Sequence, residues 1–432
     1  MFHPRSAGRR PNRRLALVAA VFGSLSCLAT VQAGVVLVDP GTPGAFTEIQ
    51  PALDAALDHD IVLVRPLADA GARYEPFTVG GKTLAVVGDV RLGTVRGTTV
   101  HVSAVPLGST VIVRGFDLEA PEGVPAITVA AGAGGVRLEE LVASGGPGAV
   151  LPPAPAAKIT ASDEVAMAYC ELTGGAALAG GAFTDGVAAL DAWKSEISVR
   201  GGTLAGGAGA DNLTDDPVPG GRGGSGSKSK GGTIVLSNVT LVGGQGGQPG
   251  CVDEITCDCG DLGGGGDAIV MKDTVLIVET SSLQPGSADA GACPGTGLSG
   301  LPIVAEGGVV QEIDGTVHHY WMSTPVQTPI KATFHMQGTL GEAVYLIATV
   351  DPLMKWMPKY DSYLMVAGLP LMDLKLLRVI DTVEGTHDTD HPVPPPPPGI
   401  DSFIGYTQSV FVLDGKIHLG PMSSFLYIGY GP

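Results

Sequence analysis

The sequence predicts an all-β protein in two parts, a solenoid of short stacked strands followed by a small antiparallel β-sandwich. One observation is a strand pattern that recurs six times between Val111 and about Leu283. The other is a change of composition near Thr316, after which glycine falls and tyrosine and tryptophan rise. We expect a solenoid because each coil cannot bury its own apolar row, whereas stacked coils build a continuous core.

The six copies share β-branched or aliphatic residues at fixed positions. They begin at Val111, Val136, Val165, Ile197, Ile234 and Val275, and the residues two, five and seven positions further on are mostly apolar. The last copy slips by one residue, so that Leu283 fits the seventh position better than Ser282. Intervals between copies grow from 25 to 41 residues, and the added residues follow a Gly-Gly pair. We therefore expect loops of increasing length at one corner of the solenoid.

Composition and charge limit the possible functions. The chain has 432 residues, 65 of them glycine, without a strict Gly-X-Y period, and its formal net charge is −18. Glycine at this level suits short strands and tight turns and does not suit a long-helix protein. A strongly acidic chain repels nucleic acid and anionic lipid, so we expect no nucleic-acid partner. The acidity is compatible with cation binding, although keeping an exported protein soluble is its simplest explanation.

Residues 1–33 are predicted to be a signal peptide that directs export to the cell envelope or the outside of the cell. Basic residues come first, an apolar run from Leu15 to about Thr30 follows, and Val31-Gln32-Ala33 fits the small-x-small cleavage rule. No later segment is long and apolar enough to span a bilayer.

Cysteine usage agrees with export. Cys170 occupies a core position of the repeat and is predicted to be a buried thiol. Four further cysteines lie in loops, and two disulfides among them are expected in an oxidising compartment; they are Cys251, Cys257, Cys259 and Cys293. A zinc site is the less favoured alternative, because their spacing matches no common zinc ribbon.

A single amphipathic helix is predicted ahead of the first coils. Ile49, Leu53, Ala56 and Leu57 keep helical spacing, and Thr47 with Gln50 forms a potential capping box. The helix would cover the open end of the first coil, which otherwise exposes a sheet edge and apolar residues.

The segment "FTEIQPALDAALDHDIVLVRP … YEPFTVGGKTLAVVGD", from Phe46 to Asp89, resembles the start of right-handed parallel β-helix proteins of the pectate-lyase-like superfamily. In pectin-methylesterase-like members a cap helix is likewise followed by a strand, a tyrosine and a K-x-L-x-V-x-G strand. The resemblance implies a right-handed parallel β-helix, placed at residues 34–315. The catalytic motifs of the superfamily are missing, so no residue is predicted to be catalytic.

The ladder and its loops carry charged residues without a recognisable catalytic pattern. Outward strand positions, predicted to be exposed, give no convincing acid–base pair between adjacent coils; they hold Arg114, Arg137, Glu139, Glu140, Glu171 and Arg200. Loop carboxylates could bind calcium but lack a calcium-loop spacing, so solvated loop charge is favoured; these are Asp211, Asp215, Asp216, Asp253, Glu254, Asp258, Asp261 and Asp267. No cofactor is expected.

Residues 316–432 alternate in hydrophobicity like strands of a β-sandwich or jelly roll. Their end resembles small C-terminal domains of secreted bacterial β-helix proteins, although the spacing of Gly405, Gln408 and Gly415 departs from that pattern. Two segments here are candidate sites. His387-Asp388-Thr389-Asp390-His391 could hold a metal but is favoured as a solvated loop. The second candidate site consists of three aromatic residues, Trp356, Tyr360 and Tyr363. Packing in the core is the favoured interpretation, and stacking on a glycan is the alternative.

Together these features favour an exported, non-catalytic protein, structural or adhesive, with extracellular polysaccharide or cell-surface components as partners. A lyase or hydrolase acting on polysaccharide, with an unrecognised site on the coils, is the alternative. A fold cannot decide between them, because function depends on the site.

Overall fold

The computed structural model describes residues 34–182, 184–212, 218–253, 258–259, 261–288, 297–313, 318–322, 326–327, 331–349, 355–357, 362–364, 372–381, 386–392 and 402–428. The predicted signal peptide lies outside them. One helix is present in the described residues, α1 (Ile49–Ala55). The strands are β1 (Val35–Val38), β2 (Ile61–Val64), β3 (Phe77–Gly80), β4 (Leu84–Gly88), β5 (Val95–Gly97), β6 (Val100–Ser103), β7 (Thr110–Arg114), β8 (Phe116–Glu119), β9 (Ile127–Gly132), β10 (Gly135–Glu139), β11 (Val142–Ser144), β12 (Ala157–Ser162), β13 (Val165–Thr173), β14 (Leu190–Ala205), β15 (Ser227–Ser237), β16 (Thr240–Val242), β17 (Cys251–Asp253), β18 (Asp258–Cys259), β19 (Ile269–Glu279), β20 (Ser282–Gln284), β21 (Ile303–Ile313), β22 (His319–Met322), β23 (Val326–Gln327), β24 (Lys331–Gln337), β25 (Ala343–Thr349), β26 (Lys355–Met357), β27 (Ser362–Leu364), β28 (Met372–Val379), β29 (Thr386–Pro392), β30 (Ser402–Leu413) and β31 (Lys416–Ile428).

The first part of the chain is a parallel β-helix, as the sequence predicts. Most of its strands form three parallel ladders that run along the solenoid, and β17 and β18 form a separate antiparallel pair. Ladder I contains β1, β2, β4, β7 and β10, then the Val165, Ile197 and Ile234 segments of longer strands, and continues into β19 and β21. Ladder II runs from β5 through β8 and β11 to β16 and β20. Ladder III contains β3, β6, β9, β12 and the first residues of β14, β15, β19 and β21.

The predicted core positions stack in register. In ladder I, Val113 pairs with Leu138, and the column continues through Met167, Val199 and Leu236. All of these side chains are buried. In ladder II a second column joins the seventh positions of the repeat; it contains Leu118, Ala143, Leu172, Leu204, Leu241 and Leu283. Burial of like residues on like residues in successive coils supplies the main stabilising term of the solenoid.

The sixth copy of the repeat is displaced over its whole length, and not only at its end. Leu276, rather than Val275, pairs with Ile234 and is buried, whereas Val275 is 38% exposed. β15 and β19 keep one register on both sides of the coil corner at Asp273, where the backbone is left-handed, so the sixth copy begins at Leu276. Such corners recur between ladders III and I, and again between ladders I and II, where Glu140, Tyr169 and Asn238 occupy them.

The helix α1 packs on the first coil with Ile49, Ala52 and Leu53 buried, as expected for a cap. The predicted capping box is wrong. Glu48 is the N-cap residue, without a side-chain cap hydrogen bond, and Gln50 accepts a hydrogen bond from the backbone N–H of Thr78 at 2.7 Å. The bond to β3 uses the side chain that a capping box would need, and it ties the cap to the coil.

The C-terminal part contains two facing sheets. One contains β22, β24 and β29, which pair antiparallel. The other has the order β23, β31, β30, β25, β28, and all its pairings but that of β23 are antiparallel. Both sheets contribute to one apolar core; its members are Tyr320, Met322, Ala332, Phe334, Met336, Val344, Ile380, Phe411 and Phe425. This arrangement is the predicted β-sandwich.

Candidate functional site

The outward face of ladder I carries the charged residues that the sequence places at exposed positions. Strand alternation does turn these side chains away from the coil interior. Contrary to the prediction, however, Arg114, Arg137, Glu139 and Arg200 are no more than 5% exposed. Glu140 is half-buried, and only Glu171, on ladder II, is exposed. The face is buried because the β-sandwich lies on it.

Arg114 is the centre of a charge network on this face. Its Nε and Nη2 atoms donate to the two carboxylate oxygens of Glu140 at 3.1 and 2.6 Å, a bidentate pair. Its Nη1 donates to Glu139 at 3.2 Å, and Arg137 donates to Glu164 at 2.8 Å. These ionic partners all belong to the β-helix, so most of the charge on this face is neutralised without help from the β-sandwich.

The β-sandwich contributes backbone carbonyls and aromatic rings to the contact. The hydroxyl of Tyr169 donates to the carbonyl oxygen of Tyr320 at 2.9 Å, and Arg114 approaches the carbonyl oxygen of Met322 at 3.5 Å. Trp321 packs against Tyr169 with ring centroids 5.7 Å apart and stacks on His335 at 4.5 Å. Burial raises the pKa of the Tyr169 hydroxyl well above its ordinary value, so this donor keeps its proton. We conclude that this cluster is a domain interface.

The second distinctive region is formed by the long loops between ladders II and III. We call this region the glycine array. In each loop an outgoing limb leaves ladder II and a returning limb enters ladder III. The outgoing limbs are residues 145–148, 174–177, 206–212, 243–248 and 285–288. In the limb 206–212, the N–H groups of Gly206, Gly209 and Asn212 donate to the next coil, at 2.8 to 2.9 Å; the acceptors are the carbonyl oxygens of Val242, Gln245 and Gln248. The N–H groups of Gly207 and Ala210 donate instead to a returning limb. This three-residue period is that of an extended polyproline II helix, which has no hydrogen bonds of its own.

Hydrogen bonds cross the array without interruption. Gly300 donates to Gly286, and the series continues through Gly266, Gly244, Gly224 and Gly207 to Val187, every bond between 2.7 and 3.0 Å. A Cβ atom at Gly224 would lie 2.2 Å from the carbonyl oxygen of Val187. Glycine is therefore required here by close backbone approach, which explains the glycine density of the growing loops. Main-chain hydrogen bonds thus join the described limbs of successive loops.

Several loop carboxylates cap N–H groups at the edge of the array. Asp211 accepts from the N–H of Gln248 at 2.8 Å, and Asp267 accepts from Leu301 and Arg222. Glu122 accepts from three consecutive N–H groups at 149–151, which lower the pKa of its carboxyl. Within the described residues no group of three or more His, Cys, Asp or Glu side chains is arranged to hold a metal. Asp215, Asp216 and Glu254 lie outside those residues, so calcium binding is untested.

The predicted disulfide cysteines are only partly within the described backbone. β17 and β18 pair antiparallel and place Cys251 directly opposite Cys259. Cys257 and Cys293 lie outside the described residues, and the disulfides remain a prediction. Cys170 is 1% exposed, and burial raises the pKa of its thiol to about 12. It fills a core position, as predicted.

The two candidate sites of the β-sandwich also have described backbone. The segment 387–391 lies within strand β29 and is not a loop, which corrects the prediction. There the carboxylate of Asp388 lies 2.7 Å from the Nδ1 atom of His335, and Asp390 accepts a hydrogen bond from the hydroxyl of Thr333. The Nε2 atom of His387 lies 3.0 Å from the carboxylate of Asp381. β26 and β27 form a hairpin that places Trp356 opposite Tyr363, while Tyr360 lies outside the described residues. Glycan stacking at this hairpin remains a prediction.

Comparison with known proteins yields no family. Neither a protein-family model nor a curated protein sequence matches the chain. Among solved structures, the enzymatically active domain of tailspike protein 2 from bacteriophage CBA120 has 9% identity and a TM-score of 0.26, over 91% of this chain and 71% of that one. WceF of Pantoea stewartii, described as a glycan biofilm modifying enzyme with a tailspike-like parallel β-helix fold, has 12% identity and a TM-score of 0.19. That match spans 85% of this chain and half of WceF.

Likeness at these TM-scores carries no argument about function. The fold stands on the strand pairings above, which define a parallel β-helix protein with a C-terminal β-sandwich. Among the described residues, no helix is long and apolar enough to cross a membrane.

Proposed function

We propose that this protein is a non-catalytic structural or adhesive module that acts outside the cell or in the cell envelope and engages polysaccharide. One observation carries the proposal. The face of ladder I, where charged side chains of successive coils converge, is covered by the protein's own β-sandwich and is neutralised by internal ion pairs. Acid–base catalysis needs an acid and a base within reach of a substrate, which a covered face does not provide.

The main-chain hydrogen bonding of the glycine array supports the same proposal. In the glycine array, N–H groups donate to neighbouring limbs or to carboxylates. A loop region built from main-chain hydrogen bonds offers a stiff surface and few side chains for chemistry. Export of the chain is part of the proposal and is supported by the signal-peptide pattern and the acidic composition.

The proposal is tested with purified protein, residues 34–432, on a panel of acidic and neutral polysaccharides, with calcium and then with a chelator. Chain cleavage and retention on immobilised glycan are measured on the same samples. We expect retention without cleavage. Cleavage that the chelator abolishes would overturn the proposal and indicate a calcium-dependent lyase.

A further inference from the structure

The outward face of ladder III carries a row of lysines around one exposed tryptophan. Inward residues of these strands, such as Ile159 and Ala192, are buried in the core. Alternation therefore turns the intervening residues to solvent. The register pairs Lys158 with Asp191 and Asp191 with Lys228, and in the second row it pairs Trp193 with Lys230. We call Lys158, Trp193, Lys194, Lys228 and Lys230 the lysine–tryptophan face.

The spacing on this face follows from the parallel strands. Neighbouring coils are about 4.8 Å apart, so Trp193 and Lys230 are adjacent, and Lys158 and Lys228 lie about twice that distance apart. Both rows run along the solenoid axis. A linear polymer lying along the axis would meet each row in turn.

Trp193 is 44% exposed although its strand has a complete inward core. The Nζ atom of Lys194 lies 4.9 Å from the centroid of the indole ring, which is a cation–π contact. Lys194 itself occupies a left-handed coil corner with φ of 49°. A large apolar ring exposed to solvent is a surface on which the C–H face of a sugar ring can pack.

The charges of the face stand out against an acidic chain. Four of the six lysines before residue 314 belong to the face, and Lys272 pairs with Lys230 beside it, in a protein with a net charge of −18. Lys272 is paired with Glu306 at 3.1 Å. Lys158, Lys228 and Lys230 are exposed and form no salt bridge within the part of the chain that the structure describes. Asp191 lies between two of them, and the acids Asp163, Glu196 and Asp273 lie at the adjoining corner.

We infer that the lysine–tryptophan face binds an acidic polysaccharide along the solenoid axis. Carboxylate or sulfate groups of the polymer pair with Lys158, Lys228 and Lys230, and a sugar ring packs on Trp193. This inference rests on the proposed function and names its ligand class. Exposed lysines give a salt-sensitive attraction, because such pairs are screened by ions.

The inference is tested by measuring binding of the 34–432 protein to immobilised polygalacturonate, dextran sulfate, uncharged dextran and double-stranded DNA at low and high salt. The first two polymers separate carboxylate from sulfate recognition. The variants are the triple Lys158→Gln, Lys228→Gln, Lys230→Gln and the single Trp193→Ala. A matched triple removes three accessible cations elsewhere, Arg73→Gln, Arg378→Gln and Lys416→Gln, and circular dichroism checks the fold of each.

We expect the parent protein to bind one or both acidic glycans, with an affinity that weakens as salt is added. The affinity should fall at least tenfold in the lysine triple and in Trp193→Ala, and should change little in the matched triple. Equal losses in both triples, unchanged binding in the lysine triple, no binding by the parent protein, or binding to DNA alone would overturn the inference. If the parent protein and the lysine triple are both retained on uncharged dextran, the inference is overturned but the proposed function still holds. Cleavage of any glycan would overturn the proposed function itself.

Discussion

The hydroxyl of Tyr169, on a coil corner of the β-helix, donates a hydrogen bond of 2.9 Å to the carbonyl oxygen of Tyr320 in the first strand of the β-sandwich. Tyr169 holds a left-handed backbone conformation there, with φ of 54°. Non-glycine residues in this conformation are strained by about 1 to 3 kcal/mol and persist where their surroundings fix them. The bond therefore joins a strained corner to the domain that covers it.

Replacing Tyr169 with phenylalanine should loosen the β-sandwich on the β-helix. The change removes one buried hydrogen bond, at a cost of about 1 kcal/mol, and leaves the Tyr320 carbonyl without this donor. Hydrogen exchange measured by mass spectrometry should become faster in peptides covering Tyr320–Met322. Tyr74→Phe is the matched control, since its hydroxyl donates to the Arg65 carbonyl within the β-helix. Equal exchange at 320–322 in the Tyr169 variant and the parent would contradict the prediction.

Replacing Arg114 with methionine should destabilise the protein by about 3 to 5 kcal/mol. The variant leaves Glu139, which is 4% exposed, as a buried carboxylate that has lost this cation. Chemical denaturation measures the change. Arg96→Met is the control: its pair with Asp117 is 3.5 Å long and accessible, and such pairs contribute at most about 1 kcal/mol. Similar losses from both substitutions would show that burial does not strengthen the Arg114 network.

Alanine at Gly224 should cost about 3 kcal/mol or prevent folding. The added Cβ would lie 2.2 Å from a carbonyl oxygen in a hydrogen-bonded limb, and overpacking of this kind forces the backbone to move. Gly71→Ala is the control, because its Cβ would meet only a side-chain oxygen of Asp69, at 3.4 Å. Thermal denaturation of both variants checks the prediction, and a Gly224 variant as stable as the control would contradict the close packing of the array.

The β-sandwich should lose stability in acid before the β-helix does. Burial alone would raise the pKa of Glu342, but hydrogen bonds from His318 and the Thr339 N–H lower it below 4.5. Burial and the neighbouring His318 lower the pKa of His418 below 6.5. Protons therefore bind more readily to both groups in the unfolded chain, so stability present above each ordinary value is lost as pH falls below it.

Thermal unfolding between pH 7 and pH 4 measures this loss. We expect the transition of the β-sandwich to move to lower temperature, first below pH 6.5 and again below pH 4.5. His418→Gln should flatten the first step, and His101→Gln, on strand β6, should leave it unchanged. A His418 variant with the full first step would contradict the assignment.

The sequence predicts the β-helix well because its signal is local and repeated. The core columns through Leu138 and Leu172 follow from residue spacing within each coil, and stacking then fixes their partners. The displaced sixth copy is different. Leu276 and Val275 are both apolar β-formers, so composition alone does not show which of them turns inward.

The domain interface was not predictable in the same way. Strand alternation assigns Arg114 and Glu139 to the outside of the coil, and an outward position is the same in sequence whether solvent or another domain faces it. The covering contact joins Tyr169 to a residue 151 positions away. Two other features do have a signal in the sequence, namely the three-residue spacing of glycines in the array and the concentration of lysines around Trp193.

The chain length of an acidic glycan after prolonged incubation with the protein tests the central claim most directly. The measurement is size-exclusion chromatography of polygalacturonate and dextran sulfate, with calcium present and again with a chelator. If the protein is a non-catalytic binding module, each polymer shows its original elution profile after the protein is removed, while the same protein is retained on that polymer in a separate binding assay. A shift toward shorter chains that depends on the protein would contradict the claim and show that the protein has an enzyme site.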